Sequence, residues 1–411
     1  MKTSSELQNH YALLLGLVPP WTVVNVDLKM DKKRVEISVE WPVDHQVECP
    51  ECGRSCNIRD HREERQWRHL DTMQFQTIIR SRVPRSDCPD HGVKTIDAPW
   101  AAPGSRFTLL FERLAIDVMI AAKSLKEAAK LLGLSWDQIH LIQSRAVERG
   151  LLRRDLSEVK NVGIDEKSFL KGHKYASLMV DIDGARIIEV VQERTLESAN
   201  ELWSKLPEEV RHGIDAVAMD MWDAFITAAE ANAPQADIVH DKFHISKYLN
   251  EAVDKVRRAE HKGFMKDGDE TLKGAKYLFL KRPENLTDNE KLRFNEFKMD
   301  TLKVGRAWSI KEAFSDFWNY SYKGSAEKFF QQWYWWATHS RLKPMVQVAK
   351  LMRRHLENIL TYLKHRITNA MMEGFNSKIQ SIKSNARGYR NFQNYRIAIL
   401  FYCGKLDLHP A

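Results

Sequence analysis

The chain has 411 residues, of which 43% are apolar, enough for several cores; length alone leads us to expect two to four folded units. Lys and Arg total 63 against 55 Asp and Glu, a formal +8 that falls in blocks, so the expected partners are polyanions, nucleic acid before membrane. No run approaches 18 uninterrupted apolar residues and the start shows no cleavable leader, which excludes a helical membrane span and predicts a cytoplasmic protein. Four of the five cysteines lie between Cys49 and Cys88, a clustering that fits metal binding better than a disulfide framework.

From Trp21, two alternating apolar runs around "KMDKK" predict a β-hairpin. The next segment contains Cys49-x2-Cys52 and Cys88-x2-His91. Two such knuckles brought together can hold one tetrahedral zinc with all four positions closed, a structural rather than chemical site. Cys56, His61 and His69 are spare ligands nearby, and the flanking "RDHREERQWRH" and "IIRSRVPR" are basic enough to touch phosphates. We place this β module at 1–104.

Between 105 and 157 the pattern becomes helical. "SLKEAAKLLGLSWDQIHLIQSRAVERG" reads as a helix, a break at Gly133, a cap at Ser135 and a second helix, the layout of a helix-turn-helix and also of any αα-hairpin. In the first reading Gln138, His140, Gln143, Ser144 and Arg145 lie on the exposed side of the second helix, where major-groove contacts are made.

Residues 158–245 read β-β-β-α-β-α-β. The turn at Gly184 predicts that strands two and three form a hairpin, and the crossover helix returns "AVAMD" parallel to the first strand. Residues 246–345 are helical, charged and Trp-rich, an inserted all-α domain. Trp308, Trp318, Trp333, Trp335 and Trp336 are there either to pack helices or to stack on a flipped base. Residues 346–411 are helical and basic, completing the interrupted core. The fold class is therefore α/β and multidomain.

Asp165 ends "VGID" and Asp220 ends "AVAMD". If their strands are neighbours, both carboxylates reach the same level, where hard oxygen ligands can share Mg²⁺ for phosphoryl transfer. Such a shell needs a third carboxylate. Glu373 heads a helix with a polar stripe through Asn376 and Gln380 and an apolar one through Met372, Phe375 and Ile379. Alone it reads as an ordinary surface acid. No further acid follows until Asp407, while Lys383, Arg387 and Arg390 supply positive charge suited to phosphates. Glu166 adjoins Asp165 but faces the opposite side of its strand.

"GIDE", "AMDMW", "HDKFH" and "NAMMEGFNSKIQSIKSNARGYRNFQNYR", behind the cysteine module, resemble the zinc-finger-bearing bacterial insertion-sequence transposases of the ISL-three group. The resemblance implies an RNase H-like core, a mixed β-sheet with flanking helices, that cuts and joins double-stranded DNA. It implies Asp165, Asp220 and Glu373 as the catalytic triad holding two Mg²⁺, a structural Zn²⁺, and Asp241 and His244 as accessory residues. It also implies recognition of the element's inverted-repeat ends, a homodimer or higher assembly that brings two ends together with target DNA, and a location at the bacterial nucleoid. A non-cutting DNA-binding regulator descended from such an enzyme, and a structure-selective nuclease with the same core, are the rival readings.

Overall fold

The computed structural model describes residues 3–170, 174–240, 242–367 and 370–411. The chain divides into two compact units, one made of residues up to Arg154 with Asn385–Gly388 and Leu406–Ala411, the other of Asp155–Ser384 and Tyr389–Lys405.

In the first unit the expected hairpin forms from Thr22–Lys29 and Arg34–Glu40, paired antiparallel from Thr22↔Glu40 to Lys29↔Arg34. It is half of a four-stranded sheet, completed by Phe75–Ser81 and then Arg65–Thr72. Trp21, Trp67 and Trp100 pack edge to face in its core, together with Ile37, Val39 and Ile79. Burying such rings is the main apolar gain of the module. The segments that hold the cysteines form smaller sheets: Val47–Glu48 with Ser55–Cys56, and Ile58–His61 with Pro84–Cys88 and Gly92–Thr95.

Three helices follow. Leu109–Ala122 is capped by Thr108. Leu125–Leu132 is capped by Ser124 and ends at Gly133 in the left-handed conformation, φ 65°. Trp136–Leu152 opens with a capping box, in which Ser135 Oγ accepts from the Gln138 amide and the Gln138 side chain accepts from the Ser135 amide. Reciprocal capping satisfies two orphan donors and fixes where this helix starts. Ala128, Ala129, Ile139 and Ile142 are buried and Leu132 and Leu134 half-buried.

The second unit is built on a five-stranded mixed sheet. Its order is Arg186–Gln192, Lys174–Asp181, Asn161–Leu170, Ala216–Met219 and Asp237–His240; the first three strands are antiparallel and the last two parallel to the Asn161 strand. This is the expected RNase H-like arrangement. At the Asp181–Arg186 hairpin, Gly184 is required: its amide donates to Asp181 Oδ1 at 2.8 Å, and a Cβ there would lie 2.2 Å from Asp181 Oδ2. One face of the sheet is covered by Leu196–Ser204 and Asp223–Asn232, packed around Trp203 and Phe225. Ala216 and Val239, from the same sheet, belong to a second core with the helices between Lys242 and His365. That run, from Lys242–Lys266 to Tyr362–His365, holds no strand among the described residues. Among the described residues no helix is long and apolar enough to cross a membrane.

Candidate functional site

Ile164 and Met219 are register partners on adjacent parallel strands, so Asp165 and Asp220, each one residue further on, stand at the same level. Asp220 follows the end of its strand as expected, whereas Asp165 corrects the expectation, lying mid-strand in Asn161–Leu170 and paired with Leu178. Asp165 is buried at 9% exposure. Its Oδ1 accepts from the Glu166 amide at 2.8 Å and its Oδ2 from Asn376 Nδ2 at 2.8 Å. Asp220 Oδ1 accepts from the Met221 amide at 2.7 Å and Oδ2 from the Tyr248 hydroxyl at 3.2 Å. Burial and the Asp220 carboxylate hold the Tyr248 phenol above its ordinary value, so it remains a donor. Glu166 turns away, as strand alternation demands, and takes Arg194 Nη1 on both oxygens at 2.9 Å.

Glu373 is exposed in the first turn of Ala370–Asn385. Its helix is seated on the Asp165 strand at two points: Met372 Sδ lies 3.2 Å from where a Gly163 Cβ would stand, and Asn376 reaches Asp165. Residues three apart share a helix face, so Glu373 projects one turn from Asn376. Among the described residues no ion pair engages Asp165, Asp220 or Glu373, although both units are rich in them. The three carboxylates do not close to within 4.8 Å of one another, which the cysteine cluster does. Hard oxygen donors without cationic partners, two of them oriented by neutral hydrogen bonds, fit a divalent ion.

The fate of the other expected residues is mixed. Asp241 lies outside the described residues. His244 is buried in the Lys242–Lys266 helix rather than at a strand end, and its Nδ1 has no hydrogen-bond partner among the described residues. Lys383 Nζ donates to Ser168 O at 3.3 Å, while Arg387 and Arg390 are exposed. Tyr395 is buried, and Phe392 and Tyr395 both pack on Phe169, so these rings serve the core. Trp333 is buried with its Nε1 donating to Ile310 O at 2.8 Å, and Trp308 and Trp318 pack against the same core; Trp335 and Trp336 are exposed. Tyr248 and Trp222 escaped the sequence reading. Tyr248 sits seven residues into a helix whose periodicity looks purely structural, and Trp222 is exposed directly after the Asp220 turn.

In the Trp136–Leu152 helix, Gln138 and Trp136 are exposed and His140 stacks on Trp136 at 4.7 Å. Gln143 corrects the expectation: it is fully buried on the packed side, one position from Ile142, with no partner for its amide among the described residues. Arg145 is held 3.6 Å from the fully buried Glu112, as is Arg149, so its charge is partly spent inside the fold.

Cys49, Cys52, Cys88 and His91 place one ligand atom each within 4.8 Å of all the others. Cys52–Cys88 is 3.8 Å, Cys49 Sγ to His91 Nδ1 3.8 Å and Cys88 Sγ to His91 Nδ1 3.6 Å. A zinc tetrahedron with bonds of about 2.3 Å to sulfur and about 2.0 Å to nitrogen has edges of roughly 3.5–3.8 Å, so the cluster fits a structural zinc. His91 Nε2 lies 3.7 Å from Glu51, the carboxylate partner that commonly orients a ligating imidazole. Burial opposes ionisation of Cys88, but the His91 and Asp90 amides and the His91 ring prevail and bring its thiol down to about 6. Cys56 is turned aside to the Arg54 carbonyl, and His69 binds Thr108 instead.

An RNase H-like sheet behind a zinc ribbon and a helix-turn-helix is the build of a DDE transposase, and the comparisons with known proteins agree segment by segment. Residues 45–91 match the zinc-finger of transposase IS204/IS1001/IS1096/IS1165, residues 96–147 the helix-turn-helix domain of transposase family ISL3, and residues 162–399 the ISL3 DDE transposase family. The chain belongs to the ISL3 family of insertion-sequence transposases. It is 25% identical over 357 residues to the transposase for insertion sequence element IS1001 of Bordetella parapertussis, covering 85% of this chain and 87% of that one. It is 26% identical over 371 residues to the transposase for IS1557 of Mycobacterium tuberculosis, covering 84% and 83%.

Proposed function

We propose that this transposase recognises the terminal inverted repeats of its own element through the zinc module and the helix-turn-helix, then cuts and rejoins DNA at the site framed by Asp165, Asp220 and Glu373. The reading is carried by one observation: two aspartates stand at one level, Asp165 within one strand and Asp220 just past the end of its parallel neighbour, without cationic partners, beneath a helix that presents a third carboxylate. Two Mg²⁺ bound there would make an attacking oxygen more nucleophilic and stabilise the leaving one. Asn376 and Tyr248 each donate to one oxygen of an aspartate and so orient the two carboxylates without neutralising them. Lys383 and Arg390 hold backbone phosphates beside the acids. The first step is hydrolysis of the phosphodiester at the element end, freeing a 3′-hydroxyl; the second is in-line attack of that hydroxyl on a target phosphate. Gln138 and His140 make the base contacts, and synapsis of two ends requires a dimer or larger assembly.

The test is cleavage of a labelled element-end duplex by the purified protein with Mg²⁺. A nick should map to the repeat boundary, and Asp165→Asn, Asp220→Asn and Glu373→Gln should each abolish it while end binding survives. Near-normal cleavage by any of the three variants removes that residue from the triad. Binding without cleavage by the wild type would favour the regulator reading.

A further inference from the structure

Within the first unit, the four-stranded sheet and the helix-turn-helix enclose a groove of about 690 Å³ whose lining includes Arg65, Arg68, Arg106, Gln66, Gln76 and Gln138 and no carboxylate. Strand alternation builds its sheet wall. Trp67 is buried, so its neighbours Gln66 and Arg68 face the other way, and Arg68 pairs in register with Ile78, also in the lining. Arg68 is a fixed charge, its guanidinium donating to His69 O at 2.7 Å, paired with Asp71, and lying 5.0 Å from the Phe111 ring centre. Arg65 is exposed, with Nη2 on Ser105 O at 3.1 Å and its head over Trp67. Arg106 is exposed, and its side chain makes no hydrogen bond or ion pair among the described residues.

Two glycines shape the opposite wall. Gly104 and Gly133 both have positive φ, 72° and 65°, and so expose bare main chain; Gly133 lies close to Gln76 across the gap, its missing Cβ 3.6 Å from Gln76 Nε2. Gln138 closes the groove from the first turn of the Trp136–Leu152 helix. Its Oε1 is taken by the Ser135 amide, which leaves its NH₂ group as a donor. The arginines and the Gln76 amide, in a lining that holds no carboxylate, make a phosphate cradle, and Gln138 stands at its edge.

We propose that this groove seats the sugar-phosphate backbone of the duplex that the Trp136–Leu152 helix contacts, making the four-stranded sheet a second DNA-binding element that sets the helix's register. The proposal rests on the reading that this helix meets DNA. The groove touches phosphate, so its contribution is independent of sequence. Removing one phosphate-binding cation lowers the slope of log K against log salt by about 0.9.

The test measures binding of the full chain, by fluorescence anisotropy across a salt series, to a duplex carrying the element end and to a random-sequence duplex. Arg65→Gln with Arg106→Gln should weaken both about 10- to 100-fold equally and lower the slope by about 2. Gln76→Lys should raise it by about 1, and this variant decides the matter if the double variant melts early because Arg65 no longer covers Trp67. Unchanged slopes overturn the proposal. Gln138→Ala with His140→Ala separates it from the helix reading: loss of preference for the element end supports base contact by the helix. An unchanged preference removes that reading, while the slopes still judge the groove.

Discussion

Asn376 donates to Asp165 Oδ2 across 2.8 Å, and so ties the helix that carries Glu373 to the strand that carries Asp165. A neutral amide can orient a carboxylate without cancelling its charge, unlike an arginine. Removing such a supporting group at a metal site commonly costs about 10–100-fold in activity or metal affinity. Asn376→Ala should reduce strand cleavage by that factor with DNA affinity unchanged. Asn376→Asp should do worse, because it sets a like charge against Asp165. Wild-type cleavage by Asn376→Ala would show the hydrogen bond to be incidental.

The same helix rests on Gly163, where even a Cβ would be tight: Met372 Sδ already lies 3.2 Å from the Cβ position, and a branched side chain would push further into it. Gly163→Val should force Met372 and its helix away from the sheet. Overpacking of this kind costs about 1–3 kcal/mol. Melting should therefore fall modestly and cleavage fall much further, since the displaced helix carries Glu373. If cleavage falls only in proportion to stability, the helix is not positioned by its seat on Gly163.

Much of this architecture was legible in sequence because local rules govern it. The Gly184 turn, the Ser135 and Gln138 capping box, and the knuckles at Cys49 and Cys88 each state their structure within a few residues. The common level of Asp165 and Asp220 was readable because the parallel crossover fixes their register, but only Asp220 is a strand-end acid: the Asp165 strand runs on to Leu170 because its antiparallel pairing with Lys174–Asp181 extends past the end of Ala216–Met219. Gln143 was misread for a physical reason: it follows Ile142, and on a helix buried on a broad face the polar residue beside the apolar stripe can turn inward. Tyr248, whose hydroxyl meets Asp220 from 28 residues away, and the pairing of Arg145 with Glu112 depend on tertiary contacts that no periodicity carries.

His69 illustrates a tertiary contact with a pH signature. Its Nδ1 lies 2.9 Å from Thr108 Oγ1, the cap of the Leu109–Ala122 helix. Burial, with the Arg68 charge beside it, lowers its pKa from 6.5 to about 4. The folded state thus favours the neutral ring. Its contribution is complete above 6.5 and is lost as pH falls toward 4, about 3 kcal/mol over the whole interval. Urea denaturation between pH 7.5 and pH 5 should show a stability loss of about 2 kcal/mol in the wild type that His69→Gln lacks. Parallel pH profiles for the two proteins would remove His69 as the cause.

The zinc ribbon has almost no apolar core of its own, since its buried cluster consists of Cys49, Cys56 and Cys88. Metal binding must then supply the folding free energy that hydrophobic burial does not. Metal analysis should find one zinc per chain, and Cys49→Ser with Cys52→Ser should lose it together with element-end binding. Chelation of the wild type should have the same effect. Zn²⁺ should restore binding to the chelated protein where Mg²⁺ alone does not, because Mg²⁺ binds poorly to thiolate and imidazole. A zinc-free wild type that stays folded and binds element ends normally would show that the four ligands are structural neighbours without an ion to hold.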